Sequence, residues 1–429
     1  MLFQSLIYDM EINWKKNAAL FMTGQALSLF GSMLVQYAII WYIVLNTQSG
    51  VMMTVFTVTG FLPMFLISPF GGVWADRHSR KLIINIADGA IAFASLVVAF
   101  LLLAGYNHFG ILLICAAARS LGQGVHSPAS GAYIPQIVPQ EQLTRVNGIQ
   151  GTINSVCTFA APMLSGFLMT FTPLHIMFFL DVITASAGIG ILIFFVKTPS
   201  RESAAESGTG KLNRTASRKP AYFGDLKEGL KYIRNHGFVL RIVVISALFS
   251  IFASPAALLT PLQTARNFGN DVWRLSAIEI AFSAGMALGG ILIAVWGGFK
   301  NRSSTMALAC LLTGLMAAGL GLSPHFWLYL IIMAGAGITM PVFNTPCIVT
   351  VQSTVEPEYM GRVFSVFTMT GSVMMPLGML IFGPLSDSVN INFLLIGTGA
   401  AIALLGIPFM VSKVLHEAGK TRTEARQAQ

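Results

Sequence analysis

Charge is what this sequence has least of. Only 10% of its 429 residues are Asp, Glu, Lys or Arg, while 55% are hydrophobic. Soluble domains carry about 25% charged residues, so the two or three soluble domains that the length alone would suggest are excluded. Cysteine is scarce as well: Cys115, Cys157, Cys310 and Cys347 all fall inside apolar runs, with no CxxC spacing. Neither a disulfide framework nor a cysteine metal site is expected. No GxxxxGK[ST] run occurs, which leaves no ATP-binding loop of that type. The seven histidines are scattered rather than set at metal-ligand spacing beside acids, so neither a metal nor an enzyme active site is expected. The N-terminus carries Asp9 and Glu11 and lacks a small-residue cleavage site before its first long apolar run, so no signal peptide is read there.

What is present is apolar sequence in lengths that cross a bilayer, roughly 20 residues each. Twelve such runs lie at 18–45, 51–70, 83–104, 109–132, 146–170, 175–196, 239–262, 275–297, 304–322, 326–350, 363–385 and 391–412. The net charge of +9 could point to nucleic acid, but the position of the cations argues otherwise. With the N-terminus placed inside, 23 of the 26 Lys and Arg lie in cytoplasmic segments, Arg266 and Arg274 lie outside, and Arg119 lies within a span. That bias places both termini in the cytoplasm and makes the basic character a matter of topology, with no nucleic-acid partner.

The tightest charged turn is Gly71-Gly72-Val-Trp-Ala-Asp76-Arg77-His-Ser79-Arg80-Lys81, between spans 2 and 3. Its second-half echo, Trp296-Gly-Gly-Phe-Lys300-Asn-Arg302, lacks the acid. Likewise Glu141 and Arg145 are answered 217 residues on by Glu358 and Arg362. With six spans on each side, these matches indicate a duplicated unit. The fold class read here is an all-α polytopic membrane protein, its twelve transmembrane helices arranged as two pseudo-symmetric six-helix bundles. The expected parts are a lead-in over 1–17, a first bundle over 18–197, a linker with an interfacial helix over 198–237, a second bundle over 238–412 and a tail over 413–429. Residues 198–222 are too polar to bury a core, whereas Phe223, Leu226, Leu230 and Ile233 recur at helical spacing. In duplicated carriers of this kind the substrate site is expected where the halves meet, near the midplane.

Four spans carry polar seams. Gln25, Ser28, Ser32 and Gln36 form a helical stripe in span 1, and Ser246, Ser250 and Ser254 do so in span 7. Span 5 has Asn147, Gly151, Asn154 and Thr158, and span 11 has Ser365, Thr368 and Ser372. Polar groups in hydrocarbon need partners or water, so these seams either line the bundle interior or glue helices together. Pro162, Pro255 and Pro376 mark bends in three of these spans. A cation at Arg119 costs roughly 2.5–3.5 kcal/mol to insert, which makes it a functional candidate beside the structural alternative of an ion pair. Asp181 and Glu279, one to two turns below the outer surface, are the candidate coupling acids, either protonated and neutral or paired with Arg119. Asp88 lies about one turn from the cytoplasmic end of its span, within reach of the surface, and is set aside.

The charged turn resembles G-x-x-x-D-R-x-G-R-K, the loop 2–3 signature of the major facilitator superfamily, with Ser79 in place of the usual glycine. Arg119-Ser-Leu-Gly122-Gln-Gly124 is similar to that superfamily's span 4 arginine motif. Ala161-Pro162-Met-Leu-Ser165-Gly166 resembles its span 5 antiporter motif with two glycines lost. Asp225-Leu-Lys-Glu-Gly-Leu, Pro357-Glu-Tyr-Met-Gly-Arg-Val-Phe-Ser365 and Phe61-Leu-Pro63 are similar to the macrolide-efflux branch of the drug–proton antiporters, although siderophore and lysophospholipid exporters share much of this pattern.

The resemblance implies a plasma-membrane (bacterial inner-membrane) exporter of amphipathic drugs, driven by proton entry and needing no cofactor. By the same resemblance Gly72, Asp76, Arg77, Arg80 and Lys81 form a conformational latch with the start of span 11 near Arg362, and Arg119 lies beside the proton path. Gln25, Ser32, Gln36, Tyr37, Trp41, Asn154, Phe249, Ser250, Phe252, Met369, Ser372 and Met375 are the candidate cavity residues. The expected partners are an amphipathic small molecule, protons and the lipid bilayer, with the protein a monomer. The rival readings are a lipid or siderophore exporter of the same fold and a non-transporting membrane sensor or assembly partner.

Overall fold

Inside a bilayer a peptide group has no water to bond, so each span must pair its amides within itself, as a helix does. The computed structural model describes residues 2–197, 222–412 and 414–415, including the side chains of 14–197, 228–412 and 414–415. Among these residues every regular element is helical. In order they are α1 (Leu2–Thr47), α2 (Gly50–Arg77), α3 (Arg80–Leu103), α4 (Phe109–Ile137), α5 (Leu143–Phe171) and α6 (Leu174–Gly190), the last widened to a π turn at Ile191–Phe195. Then follow α7 (Tyr222–Asn235), α8 (Gly237–Leu258), α9 (Thr260–Phe268), α10 (Val272–Trp296), α11 (Arg302–Leu322), α12 (Phe326–Thr354), α13 (Met360–Ser388), α14 (Ile391–Leu404) and α15 (Ile407–Val411). Among the described residues twelve stretches are long and apolar enough to cross a membrane, α8 with α9 and α14 with α15 counting as one each, and they coincide with the twelve predicted runs.

The differences are local. The predicted lead-in and span 1 form one unbroken helix. Pro255 lies inside α8, and the break comes four residues on at Leu259, where α8 ends at Leu258 and α9 restarts at Thr260 with Pro261 in its first turn. Pro162 and Pro376 lie within continuous helices. The second-half echo forms a turn in which Gly297 and Gly298 both take positive φ, a region open to glycine. Asn301 then caps α11 by accepting the Ser303 N–H at 2.9 Å. Residues 198–221 of the expected linker lie outside the described residues.

The helices fall into two units. One comprises the chain up to Tyr42 and from Val58 into the linker; the other comprises Ile43–Thr57 and everything from Ala221 on. Residues 43–57, read from sequence as part of the first bundle, thus group with the second unit.

In the first unit α3 packs on α4 and α6. Gly24 of α1 and Gly188 of α6 let two backbones touch, because a Cβ on Gly188 would lie 2.6 Å from the Gly24 carbonyl oxygen. Phe21 and Tyr133, with ring centres 5.0 Å apart, anchor an apolar core with Ile84, Ala129 and Leu192. In the second unit α10 packs on α12 and α11 on α14 through glycine contacts such as Gly285–Ala334 and Gly314–Gly399. Gln263 is fully buried there, donating to the Leu320 carbonyl and to Asn392 and accepting from the Tyr329 hydroxyl, each at 2.8–2.9 Å. The short helix α7 lies on α13, with Tyr232 stacked on Tyr359 and Ile233 buried.

Beside Pro63 the α2 ladder is opened by a side chain from α4. The Ser120 hydroxyl accepts the Met64 N–H at 3.0 Å and donates to the Gly60 carbonyl at 2.7 Å, standing between a pair that would otherwise bond directly. Ser120→Ala leaves both groups without this partner, and a loss of about 1–3 kcal/mol is expected. It would be read as a fall in melting temperature of the detergent-purified protein, with Ser120→Thr, which keeps the hydroxyl, as the control.

Candidate functional site

Helices α3 and α4 run antiparallel, and each carries two polar side chains seven residues apart. Seven residues are two turns, so each pair shares one face. Ser95 of α3 meets Arg119 of α4, and two turns away Asp88 meets His126. Helix α6 brings Asp181, and α1 brings Ser28 and Ser32.

The centre is Asp181, which is 0% exposed. Its Oδ2 is ion-paired with Nη1 of Arg119 and accepts the Ser95 hydroxyl at 2.6 Å. Its Oδ1 accepts the Ser32 hydroxyl at 3.2 Å. Arg119 also donates from Nη1 to Ser95 and from Nη2 to the Ser32 carbonyl at 3.2 Å. The approach of α1 depends on Gly31, where an added Cβ would lie 3.2 Å from the Asp181 Cα. Of the two candidate acids, Asp181 is therefore the partner of Arg119. Glu279 lies on α10 in the second unit, within electrostatic reach of Tyr329, and no cation is paired with it among the described residues.

The residues of the charged turn are engaged within the first unit. Asp76 pairs with Arg80 at 3.5 Å, one turn on. Arg80 also donates to the Ala75 and Ala132 carbonyls near the ends of α2 and α4, and Lys81 donates to the Ile193 and Val196 carbonyls beyond α6. These cations sit where unpaired carbonyls and helix dipoles attract them. Gly72 is half-buried with open space around it, and Arg77 is exposed. In the second unit Arg362 pairs with Glu228 of α7 at 3.0 Å and lies over the Tyr359 ring.

The cavity candidates separate by burial. Gln36, Asn154 and Ser372 are exposed, and Tyr37, Ser250, Phe252, Met369 and Met375 are half-buried. On α5 the neighbours Asn147, Gly151, Ser155 and Thr158 are exposed too, as are Ser365 and Thr368 on α13. Several of these hydroxyls bond the carbonyl one turn back, as Ser155 does to Gly151, Ser365 to Gly361 and Ser372 to Thr368, and each of the two helices carries an exposed polar stripe.

The other two seams divide: Gln36 is exposed and Ser250 half-buried, whereas other members are bound within their own unit. In span 1, Gln25 is buried and accepts from Ser130, and Ser32 is bound to Asp181. In span 7, Ser254 is buried at Gly378 and Ser246 contacts Cys347. Trp41 is fully buried, and Phe249 stacks on Phe343 with ring centres 4.2 Å apart. These side chains are packing, because their helices turn them toward neighbours of the same unit.

Two clusters escaped the sequence reading. Asp88 and His126 form one. The other lies in the second unit, where Asp387 caps the start of α2. It accepts the Gly50 and Val51 N–H groups at 2.7 and 3.0 Å and the Ser49 hydroxyl at 2.8 Å, and it pairs with Arg266 at 2.7 Å. Only the seven-residue spacings from Arg119 and Ser95 signal the first cluster. Nothing local in sequence signals the second, whose three parts, residues 49–51, Arg266 and Asp387, are more than a hundred residues apart.

A model of the Major Facilitator Superfamily matches residues 21–379. The chain belongs to the Major Facilitator Superfamily. This superfamily member is 29% identical over 393 residues to macrolide efflux protein A of Streptococcus pyogenes, covering 90% of this chain and 94% of that one. It is 23% identical over 397 residues to the multidrug efflux pump Tap of Mycobacterium bovis, covering 88% of each. Solved transporters share the fold. A bacterial homologue of the iron transporter ferroportin superposes with a TM-score of 0.67 at 15% identity, covering 92% of this chain and 98% of that one. A D-xylose–proton symporter superposes with a TM-score of 0.63 at 14% identity, covering 94% and 99%. The protein is thus a multi-pass plasma-membrane transporter.

Removing either member of a buried ion pair strands the other at a cost of about 3–5 kcal/mol. Arg119→Met and Asp181→Leu are each expected to lower thermal stability by that order, while the double variant regains most of it. Additive losses in this double-mutant cycle would refute the pairing.

Proposed function

We propose that this transporter exports amphipathic drugs, macrolides among them, in exchange for protons, by alternating access. The observation that carries the reading is a carboxylate with no exposure, bound inside the membrane by an arginine and two serine hydroxyls. Protonating Asp181 cancels its charge and leaves Arg119 uncompensated in a low-dielectric interior, which is costly. The pair is therefore a two-state element whose balance one proton changes. In the first unit the exposed polar face of α5, and in the second that of α13 with the half-buried Met369, Met375 and Phe252, are the surfaces assigned to an amphipathic compound. Methionine adapts its shape to varied ligands. The efflux proteins among the relatives support the direction and the substrate class.

The energetics suffice without a cofactor. One charge crossing 100 mV gains about 2.3 kcal/mol, and a tenfold proton gradient adds about 1.4 kcal/mol. One proton then sustains a substrate gradient of a few hundredfold or so. The excess of cations in alternate loops supports cytoplasmic termini. Gly72, Asp76, Arg77, Arg80, Lys81 and Arg362 are assigned to the conformational latch, and Pro162, Pro255 and Pro376 to the helix irregularities that accompany the motion. Glu279 is a second acid available to the cycle, and the working unit is a monomer.

The test is uptake by full-length protein in proteoliposomes with an imposed pH gradient, using radiolabelled erythromycin. Gradient-driven accumulation is expected in wild type and is expected to vanish in Arg119→Ala. Asp76→Asn is expected to slow turnover while leaving erythromycin binding near its wild-type level. Transport of a lipid or siderophore probe in place of the macrolide would move the assignment to the rival exporter class, and binding without flux would make the protein a sensor.

A further inference from the structure

We propose that Asp88 and His126 are a second protonation station, passing the proton between Asp181 and the end of the first unit where the Asp76–Lys81 turn lies. This rests on the proton-exchange reading of the Arg119–Asp181 pair. The two layers repeat one design at a spacing of two helical turns, about 10.5 Å. In each, α3 and α4 supply facing polar groups and α1 adds a serine hydroxyl: Ser32 to Asp181 in one, Ser28 to Asp88 in the other.

His126 departs from an ordinary core histidine. Its side chain is 13% exposed, and that of Asp88 6%. Neither ring nitrogen has a hydrogen-bond partner among the described residues. A structural imidazole buried this deeply is normally anchored by at least one such bond. Here Nε2 is 3.5 Å from Oδ1 of Asp88, a gap closed by a small rotation or bridged by one water. One turn from Asp88 on α3, the Asn85 Oδ1 is also buried without a partner. The unpaired polar atoms thus continue along α3 away from Asp181.

The groups facing His126 are few. Asp88 comes from α3, Arg119 lies two turns away on α4, and Asp181 stands behind them on α6. Between residues 17 and 47 of α1 there is no carboxyl, amine or imidazole, and the only charged residues of α2, Asp76 and Arg77, are at its C-terminal end. Imidazole is the side chain whose unperturbed titration falls between about pH 5 and 8. The proton balance closes with water as carrier. The Asp181 carboxylic acid gives its proton through water to the Asp88 carboxylate, and protonated Asp88 gives it to the Nε2 lone pair of neutral His126. The imidazolium then releases the Nδ1 proton to water, which restores both carboxylates and leaves the Nε2–H tautomer; exchange with water, Nδ1 regaining a proton and Nε2 losing one, returns the Nε2 lone pair before the next transfer.

The experiment uses full-length protein in proteoliposomes loaded with a pH-sensitive dye, with radiolabelled erythromycin as probe. Drug-driven proton movement and gradient-driven accumulation are followed across about pH 5 to 8, and erythromycin exchange is measured at equal pH on both sides. His126→Gln is expected to cut accumulation by about tenfold or more and to flatten its pH profile, with exchange near the wild-type rate. Asp88→Asn is expected to do the same, and the double variant to be no worse than either. An unchanged pH profile and accumulation in His126→Gln would overturn the relay while leaving antiport intact. So would recovery by His126→Arg, which keeps a cation opposite Asp88 but cannot shuttle a proton, or loss of exchange in step with accumulation. If wild type moves erythromycin with no proton movement, the antiport reading fails and the relay fails with it.

Discussion

The constraint that organises the first unit is the cost of charge in a medium that cannot solvate it. Arg119 is tolerated because Asp181 faces it, and Asp181 is tolerated because Arg119, Ser95 and Ser32 use up its oxygens. These partners come from four helices, so satisfying one carboxylate fixes how α1, α3, α4 and α6 approach one another. The small residues follow from that requirement. Gly31 allows α1 to reach the acid, and Gly24 with Gly188 continues the same close approach. Packing and electrostatics are a single problem here, since the helices can bring their polar groups into bonding range only where side chains are absent.

The second unit meets the same constraint differently. Its buried polar centre is neutral, built on Gln263, Tyr329 and Asn392. Its charge cluster lies at a helix terminus, where Asp387 takes up backbone N–H groups that the start of α2 leaves unpaired. That carboxylate is also the reason residues 43–57 belong with the second unit, because it holds them by backbone bonds as well as by Arg266. The duplication visible in sequence thus preserves the helix count and the turns but not the chemistry. The acid missing from the Trp296–Arg302 turn is a local instance of the same divergence.

Legibility varied with how local each cause is. The spans were legible because length and hydropathy are properties of a single segment, and the family motifs because each lies within one turn. Arg119 was legible as an anomaly, a cation where none is cheap, but the choice between Asp181 and Glu279 was not. Asp88 was misjudged as reaching the surface, whereas it lies eight residues into α3 and faces His126. The seams show the same limit. Four helices carried similar polar stripes, yet those of α5 and α13 are exposed while those on α1 and α8 run from buried Gln25, Ser28 and Ser254 to exposed Gln36. Periodicity places residues on one face; it does not say what that face meets.

From the amino-acid order alone came the class of solvent, the twelve crossings, the superfamily and the presence of a costly intramembrane cation, each dictated by composition or short-range spacing. Tertiary packing decided which acid neutralises that cation, which polar stripes are exposed, and that an imidazole stands beside Asp88. The reason is physical: the partner of a buried charge is whichever group the helix contacts bring within about 3 Å of it, and those contacts join residues far apart in the chain.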